Sequence, residues 1–112
     1  MNPKTRLMNN RERSVDLATL RVFVTVAEVG SISEAAPRLG YSQPGLSQRI
    51  QSLERLLKCR LFVRGPQGVT LTEKGADILP YARIMLNIAD EMGNEAASHR
   101  KGRPGRQSPD PQ

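Results

Sequence analysis

Ser42-Gln43-Pro44-Gly45-Leu46-Ser47-Gln48-Arg49-Ile50 opens as a helix opens, with a serine able to cap and a proline in the first turn. Two poor helix formers, Pro44 and Gly45, stand at its start, and after Leu46 come Ser, Gln and Arg. Leu46, Ile50, Leu53 and Leu57 form an i, i+4, i+7, i+11 stripe, so the spacing predicts a helix over about 43–57 with one core-facing side. Ser47, Gln48, Gln51, Arg55 and Lys58 fall off that stripe. A helix whose first turn is weakened and whose free face is amide- and guanidinium-rich is suited to meeting a polyanion at its N-terminal end.

Outward from this stretch the chain divides readily. Upstream, Gly40 ends a short helix predicted over about 33–39 and supplies a tight turn. Two caps compete there. Ser31-Ile32-Ser33-Glu34 fits a capping box starting at Ser31, while Ser33 could itself be the cap. Pro37 favours Ser33, because a start at Ser31 would place the proline deeper, where it costs about 3 kcal/mol. Before that, Asp16 can cap a helix over about 17–28, in which Leu17, Leu20, Val24 and Ala27 recur at helical spacing and Gly30 is the stop.

Downstream, Arg60–Arg64 and Val69–Leu71 are two short β-rich runs around Gly65-Pro66-Gln67-Gly68, which reads as a hairpin. Thr72 caps a longer helix from Glu73 to about Ala97, with Pro80 expected to kink or loosen it. Its apolar positions include Ile78, Met85, Leu86, Ala89 and Met92, more than a solitary solvated helix needs, and these are the expected dimerisation residues. The domain plan is therefore a basic arm at 1–14, a unit of three helices and a hairpin at 15–71, a long trailing helix at 72–97 and a basic tail at 98–112. Arm and tail are polar, aperiodic and expected to be disordered.

The 112 residues carry a net charge of +6, which favours an anionic partner, nucleic acid before membrane. The arm and the tail each contribute +3, and the middle of the chain is neutral. One cysteine, Cys59, and one histidine, His99, lie far apart, so neither a catalytic triad nor a metal site is expected and no cofactor is called for. No apolar run approaches a membrane span or a signal peptide, which predicts a soluble protein without a membrane partner.

Helix, short helix, tight turn, helix, hairpin is the order of a winged helix-turn-helix, a mainly α fold of three helices and a short β-hairpin wing, here followed by a long linker helix. Ala36 stands four residues before Gly40 and Leu46 six after it, which supplies the small residue at the helix crossing, the turn glycine and the apolar plug. Residues 16–57, RLFVR at 60–64 and GVTLTEKGADILPYAR at 68–83 resemble the N-terminal DNA-binding domain of LysR-type transcriptional regulators. The resemblance covers about three-fifths of the chain. It does not extend to the family's effector-binding domain, so no small-molecule effector site is expected.

The resemblance implies a bacterial, cytoplasmic, nucleoid-associated regulator. It would bind double-stranded DNA as a homodimer through the linker helix; the alternatives are an interaction protein forming mixed dimers with longer relatives, or a truncated fragment of a larger regulator. It implies Gln43, Pro44, Ser47 and Gln48 as the residues nearest the bases. The residue chemistry agrees: glutamine can pair with adenine, and proline offers an apolar face to a thymine methyl. Arg49 can read guanine or bind phosphate. Ser31, Ser33, Ser42 and Thr72 can donate to phosphate as well as cap helices. Arg21, Arg38, Arg60, Arg64 and Lys74 are either phosphate anchors or ordinary surface charges. Many family members carry a basic residue at the wing tip; this one does not, and Arg64 is its nearest substitute. In the tail, Lys101-Gly102-Arg103-Pro104 has the form of a short AT-hook, which would put Arg103 and Pro104 in a minor groove.

Overall fold

The computed structural model describes residues 15–100; the expected arm at 1–14 and the tail from 101, with Arg103 and Pro104, lie outside the described residues. Four helices and one hairpin follow in the expected order: α1 (Leu17–Val29), α2 (Ile32–Leu39), α3 (Gln43–Leu57), β1 (Phe62–Gly65), β2 (Gly68–Leu71) and α4 (Glu73–Arg100). The fold is a winged helix-turn-helix with a trailing helix.

Local chemistry sets the boundaries. The Asp16 carboxylate accepts from the Thr19 N–H at 2.8 Å and starts α1. Gly30 and Gly40 end α1 and α2 in the left-handed region, with φ of 75° and 78°. That region strains residues carrying a Cβ, so these glycines allow the chain to change direction within two residues after α1 and three after α2. Ser42 Oγ accepts from the Gly45 N–H at 3.0 Å and starts α3. Thr72 Oγ1 accepts from the Gly75 N–H at 2.9 Å and starts α4.

The start of α2 differs from expectation. Ser31, not Ser33, is the cap: its Oγ accepts from the Glu34 N–H at 3.2 Å, and its carbonyl accepts from Ala35 at 3.0 Å. Proline at position 37 deprives the same Ser33 carbonyl of its partner whichever serine caps. Ser33 and Pro37 are both exposed, so water can take that carbonyl. The earlier start lets Ile32 pack half-buried against the core, and it is the better arrangement.

The core is one cluster, centred on Phe23, Leu46, Leu53, Leu61, Val22 and Val26, all essentially inaccessible. Phe23 and Phe62 meet edge to face, with ring centroids 5.6 Å apart and planes at 71°, a geometry favoured by the ring quadrupoles. Ala35 and Ala36 are fully buried where α2 crosses its neighbours. Leu79, Ala82 and Leu86 of α4 belong to the same cluster. The first half of the long helix is thus a structural member of the domain, while its later turns are largely exposed. The helix is continuous through Pro80, which is exposed, and reaches Arg100, three residues past its expected end. Its 28 residues correspond to about 42 Å at 1.5 Å per residue.

The hairpin is tighter than expected. Gly65 pairs with Gly68, leaving only Pro66 and Gln67 as the turn. Gly68 has φ of 122°, and a Cβ there would collide with the Gly30 carbonyl. That closeness allows the Val69 N–H to donate to the Gly30 oxygen at 3.0 Å, which pins the wing to the end of α1.

Candidate nucleic-acid interface

At about 100° per residue, the α3 positions farthest from the Leu46–Ile50–Leu53 stripe are Pro44, Gln48, Gln51, Ser52 and Arg55, and all five are exposed. Gln43 is exposed at the N-terminal end. The first two turns therefore present an amide, an apolar ring and a second amide to solvent, on a helix whose opposite face is locked into the core. Gly45 serves local packing: a Cβ at that position would stand 3.0 Å from Ser42 Oγ, the capping oxygen. The weak helix former leaves room for the cap.

Two side chains flank this face. On the wing side Ser47 is half-buried, and its Oγ accepts from an Arg64 Nη at 3.0 Å. On the other side Arg49 is half-buried against Tyr41. Its Nε donates to the Tyr41 hydroxyl at 3.1 Å, and its guanidinium lies 5.8 Å from the ring centroid. The contact turns Arg49 toward the α2–α3 turn rather than along the face of Gln48.

The predicted hydroxyls are placed unequally. Ser31 and Ser33 lie 3.1 Å apart, Oγ to Oγ, at the start of α2. Ser42 is exposed at the start of α3. The Thr72 hydroxyl donates to the Arg60 carbonyl at 2.7 Å while accepting from Gly75, so its single proton is committed inside the protein. Among the basic candidates, Arg21 pairs with Asp90 at 3.2 Å and Arg60 with Glu54 at 3.5 Å. Arg38 and Lys74 are exposed.

Glu54 carries a role that sequence reasoning missed. Its carboxylate, mostly buried, accepts from the Leu61 N–H at 2.7 Å and the Phe62 N–H at 3.3 Å. It thereby joins the end of α3 to the start of the wing. The available signal was that Glu54 is the one acidic residue in 43–57. Tyr41, the platform for Arg49, was also missed; it immediately precedes the cap.

The expected dimerisation residues separate into two groups. Leu86 is 5% exposed and belongs to the domain's own core, and Ile78 is half-buried against that core. Met85 and Met92 are exposed and Ala89 is half-buried. Three large residues not expected there, Tyr81, Ile84 and Ile88, join Met85 and Met92 in an exposed apolar row. Helical rotation explains the split, because Leu86 and Ile78 fall on the side of α4 that α1 and the wing cover. Two partly exposed ion pairs, Arg21–Asp90 and Arg83–Glu28 (3.4 Å), tie that side to α1.

Among the described residues no group of His, Cys, Asp and Glu could hold a metal ion, and no helix is long and apolar enough to cross a membrane.

Residues 17–76 match the family described as bacterial regulatory helix-turn-helix protein, lysR family. A curated relative from Azotobacter vinelandii, an uncharacterized HTH-type transcriptional regulator in the ibpB-leuC intergenic region, is 47% identical over 77 residues. That match covers 69% of this chain and 54% of the relative, so the chain spans about half the relative's length. The DNA complex of the BenM DNA-binding domain at catB site 1 superposes with a TM-score of 0.75 at 34% identity, covering 83% of this chain and 100% of that one. The CbnR DNA-binding domain in its DNA complex gives 0.69 at 34% identity, covering 77% and 99%.

Proposed function

Because the chain belongs to the lysR family of bacterial helix-turn-helix regulators, we propose that it is a transcriptional regulator that binds double-stranded DNA sequence-specifically, with the N-terminal half of α3 in the major groove. The observation that carries this reading is the exposed face of α3, where Gln43, Pro44 and Gln48 project from a helix fixed behind by Leu46, Ile50 and Leu53. Such a face is rigid, polar and narrow enough for base edges. Ser47 completes it on the wing side. Ser31, Ser33, Ser42 and Arg64 line its margins, where the phosphates of an occupied groove would run. Arg49 contributes chiefly by bracing the turn through Tyr41. The likeness to the BenM and CbnR domains, both solved with DNA, supports the same mode of docking.

The active form is a homodimer on an interrupted palindrome, working in the bacterial cytoplasm on the nucleoid. The exposed row Tyr81, Ile84, Met85, Ile88 and Met92 supports it, since helical spacing aligns these residues on one side of α4. The same face would admit a longer relative in a mixed dimer.

Selection of genomic fragments by the purified chain, at low and near-physiological salt, tests the proposal. An interrupted palindrome enriched at both salts is the expected result. Enrichment without a motif that disappears at the higher salt would leave only non-specific phosphate attraction.

A further inference from the structure

Ser47 and Arg64 come from different elements, α3 and β1, and meet at 3.0 Å on the margin of the reading face. A serine hydroxyl has one proton to give and two lone pairs with which to accept. In a helix it commonly gives that proton to the carbonyl four residues back, but Ser47 makes no such bond to Gln43. Among the described residues, the side chain's hydrogen bond is the one it accepts from Arg64. An arginine cannot accept a hydrogen bond or lose its proton, so the direction of this contact is fixed by chemistry. One lone pair of Ser47 is therefore occupied, and the O–H remains free.

Resting on the DNA-reading role above, we propose that Arg64 is a specificity-setting positioning residue: by donating to Ser47 Oγ it occupies one of the two lone pairs and polarises the O–H, which biases the Ser47 hydroxyl toward donating to the base it meets. Unaided, a serine hydroxyl is a weak discriminator, because it rotates to suit a donor or an acceptor. Held from behind, it selects bases that offer an acceptor in the major groove: guanine through O6 or N7, adenine through N7, thymine through O4. Cytosine, which presents only the N4 amine there, is disfavoured, because it would have to donate to the remaining lone pair of an oxygen already facing the Arg64 charge. The remaining N–H groups of Arg64 stay available for a phosphate at the groove edge. One side chain would thus couple backbone docking to base choice, and a wing without a basic tip would still influence specificity.

Base preference is to be measured for the full chain, Ser47→Ala, Arg64→Ala, Arg64→Lys and the Ser47→Ala/Arg64→Ala double variant, by competition among operators altered one base pair at a time. Arg64 is exposed, so the variants should fold, and thermal unfolding checks this. Ser47→Ala identifies the position Ser47 reads, as the one whose preference flattens. There the unmodified chain is expected to disfavour cytosine about tenfold. Arg64→Ala should reduce that penalty to about twofold at the same position, leaving preferences elsewhere in place, and the double variant should flatten it no further. Arg64→Lys, which keeps the charge without the planar fork, should also weaken the cytosine penalty while keeping the salt dependence of affinity. A uniform loss of affinity in Arg64→Ala with the cytosine penalty intact would overturn the inference and leave the DNA-reading role standing. Failure of the unmodified chain to prefer any sequence would overturn both.

Discussion

The carbonyl oxygen of Leu61 occupies the space into which a side chain at Gly75 would project, since a Cβ there would fall well inside van der Waals contact with it. This approach brings the start of α4 onto the entry to the wing, where the Thr72 N–H donates to the same Leu61 oxygen at 2.9 Å. Gly75→Ala should therefore destabilise by about 1–3 kcal/mol, although alanine is the better helix former. Urea unfolding would report a lower midpoint with an unchanged slope. A midpoint at or above that of the unmodified chain would mean that the two elements separate freely.

Glu54 holds the wing from the other side. Glu54→Ala leaves the Leu61 and Phe62 amides without their acceptor, at about 1–3 kcal/mol for each amide that water cannot reach. Glu54→Gln keeps an accepting oxygen and should lose less. Amide hydrogen exchange at Leu61 and Phe62 distinguishes the two, with fast exchange expected only in the alanine variant. Equal protection in both variants would count against the clamp.

Asp16 makes one part of the stability pH-dependent. Hydrogen bonds from Thr19, first from its side chain and then from its backbone N–H, hold the Asp16 carboxyl below its ordinary value, with a smaller contribution from the charge of Arg49. A depressed folded-state value favours the folded state above the unfolded value, and that gain disappears as pH falls through the folded one. Asp16→Ala should cost about 0.5–2 kcal/mol at neutral pH. Asp16→Asn should keep most of the cap and lose its acid dependence. Unfolding of the asparagine variant at pH 7 and at pH 3 would reveal this, the difference between the two being smaller than for the unmodified chain.

The two sides of α4 should respond to substitution in opposite ways. Leu86→Ala removes a buried side chain from the domain core and should cost about 2–5 kcal/mol of stability. Ile88→Asp alters an exposed residue and should leave folding within about 0.5 kcal/mol while abolishing self-association in sedimentation. Dimers persisting in Ile88→Asp would place the pairing surface elsewhere.

Base reading should be local. Gln48→Ala is expected to cost about 1–3 kcal/mol on the best operator and to relax preference at one base pair. A loss equal on all sequences, seen by titration at constant salt, would show that Gln48 reads none.

The sequence alone determined the order of elements, their capping at Asp16, Ser42 and Thr72, and the exposed face of α3. These are local matters: a cap needs only residues three apart, and a stripe needs only one helical period. Its family likeness was legible for the same reason, because Gly40, Leu46 and the Leu71–Gly75 run are spaced along one continuous chain. The tertiary structure decided whatever depends on two distant segments meeting. Ser31 capped α2 because Ile32 gained burial against the core, a benefit that no count from Pro37 includes. Leu86 turned inward and Ile88 outward because α1 covers one side of α4, whereas composition gives both residues the same claim to a partner. Glu54 reached the wing, and Arg64 reached Ser47 across 17 residues of sequence. Hydrogen bonds of this kind form only once hydrophobic burial has packed α3 beside the hairpin, so their donors and acceptors become known from the folded chain alone.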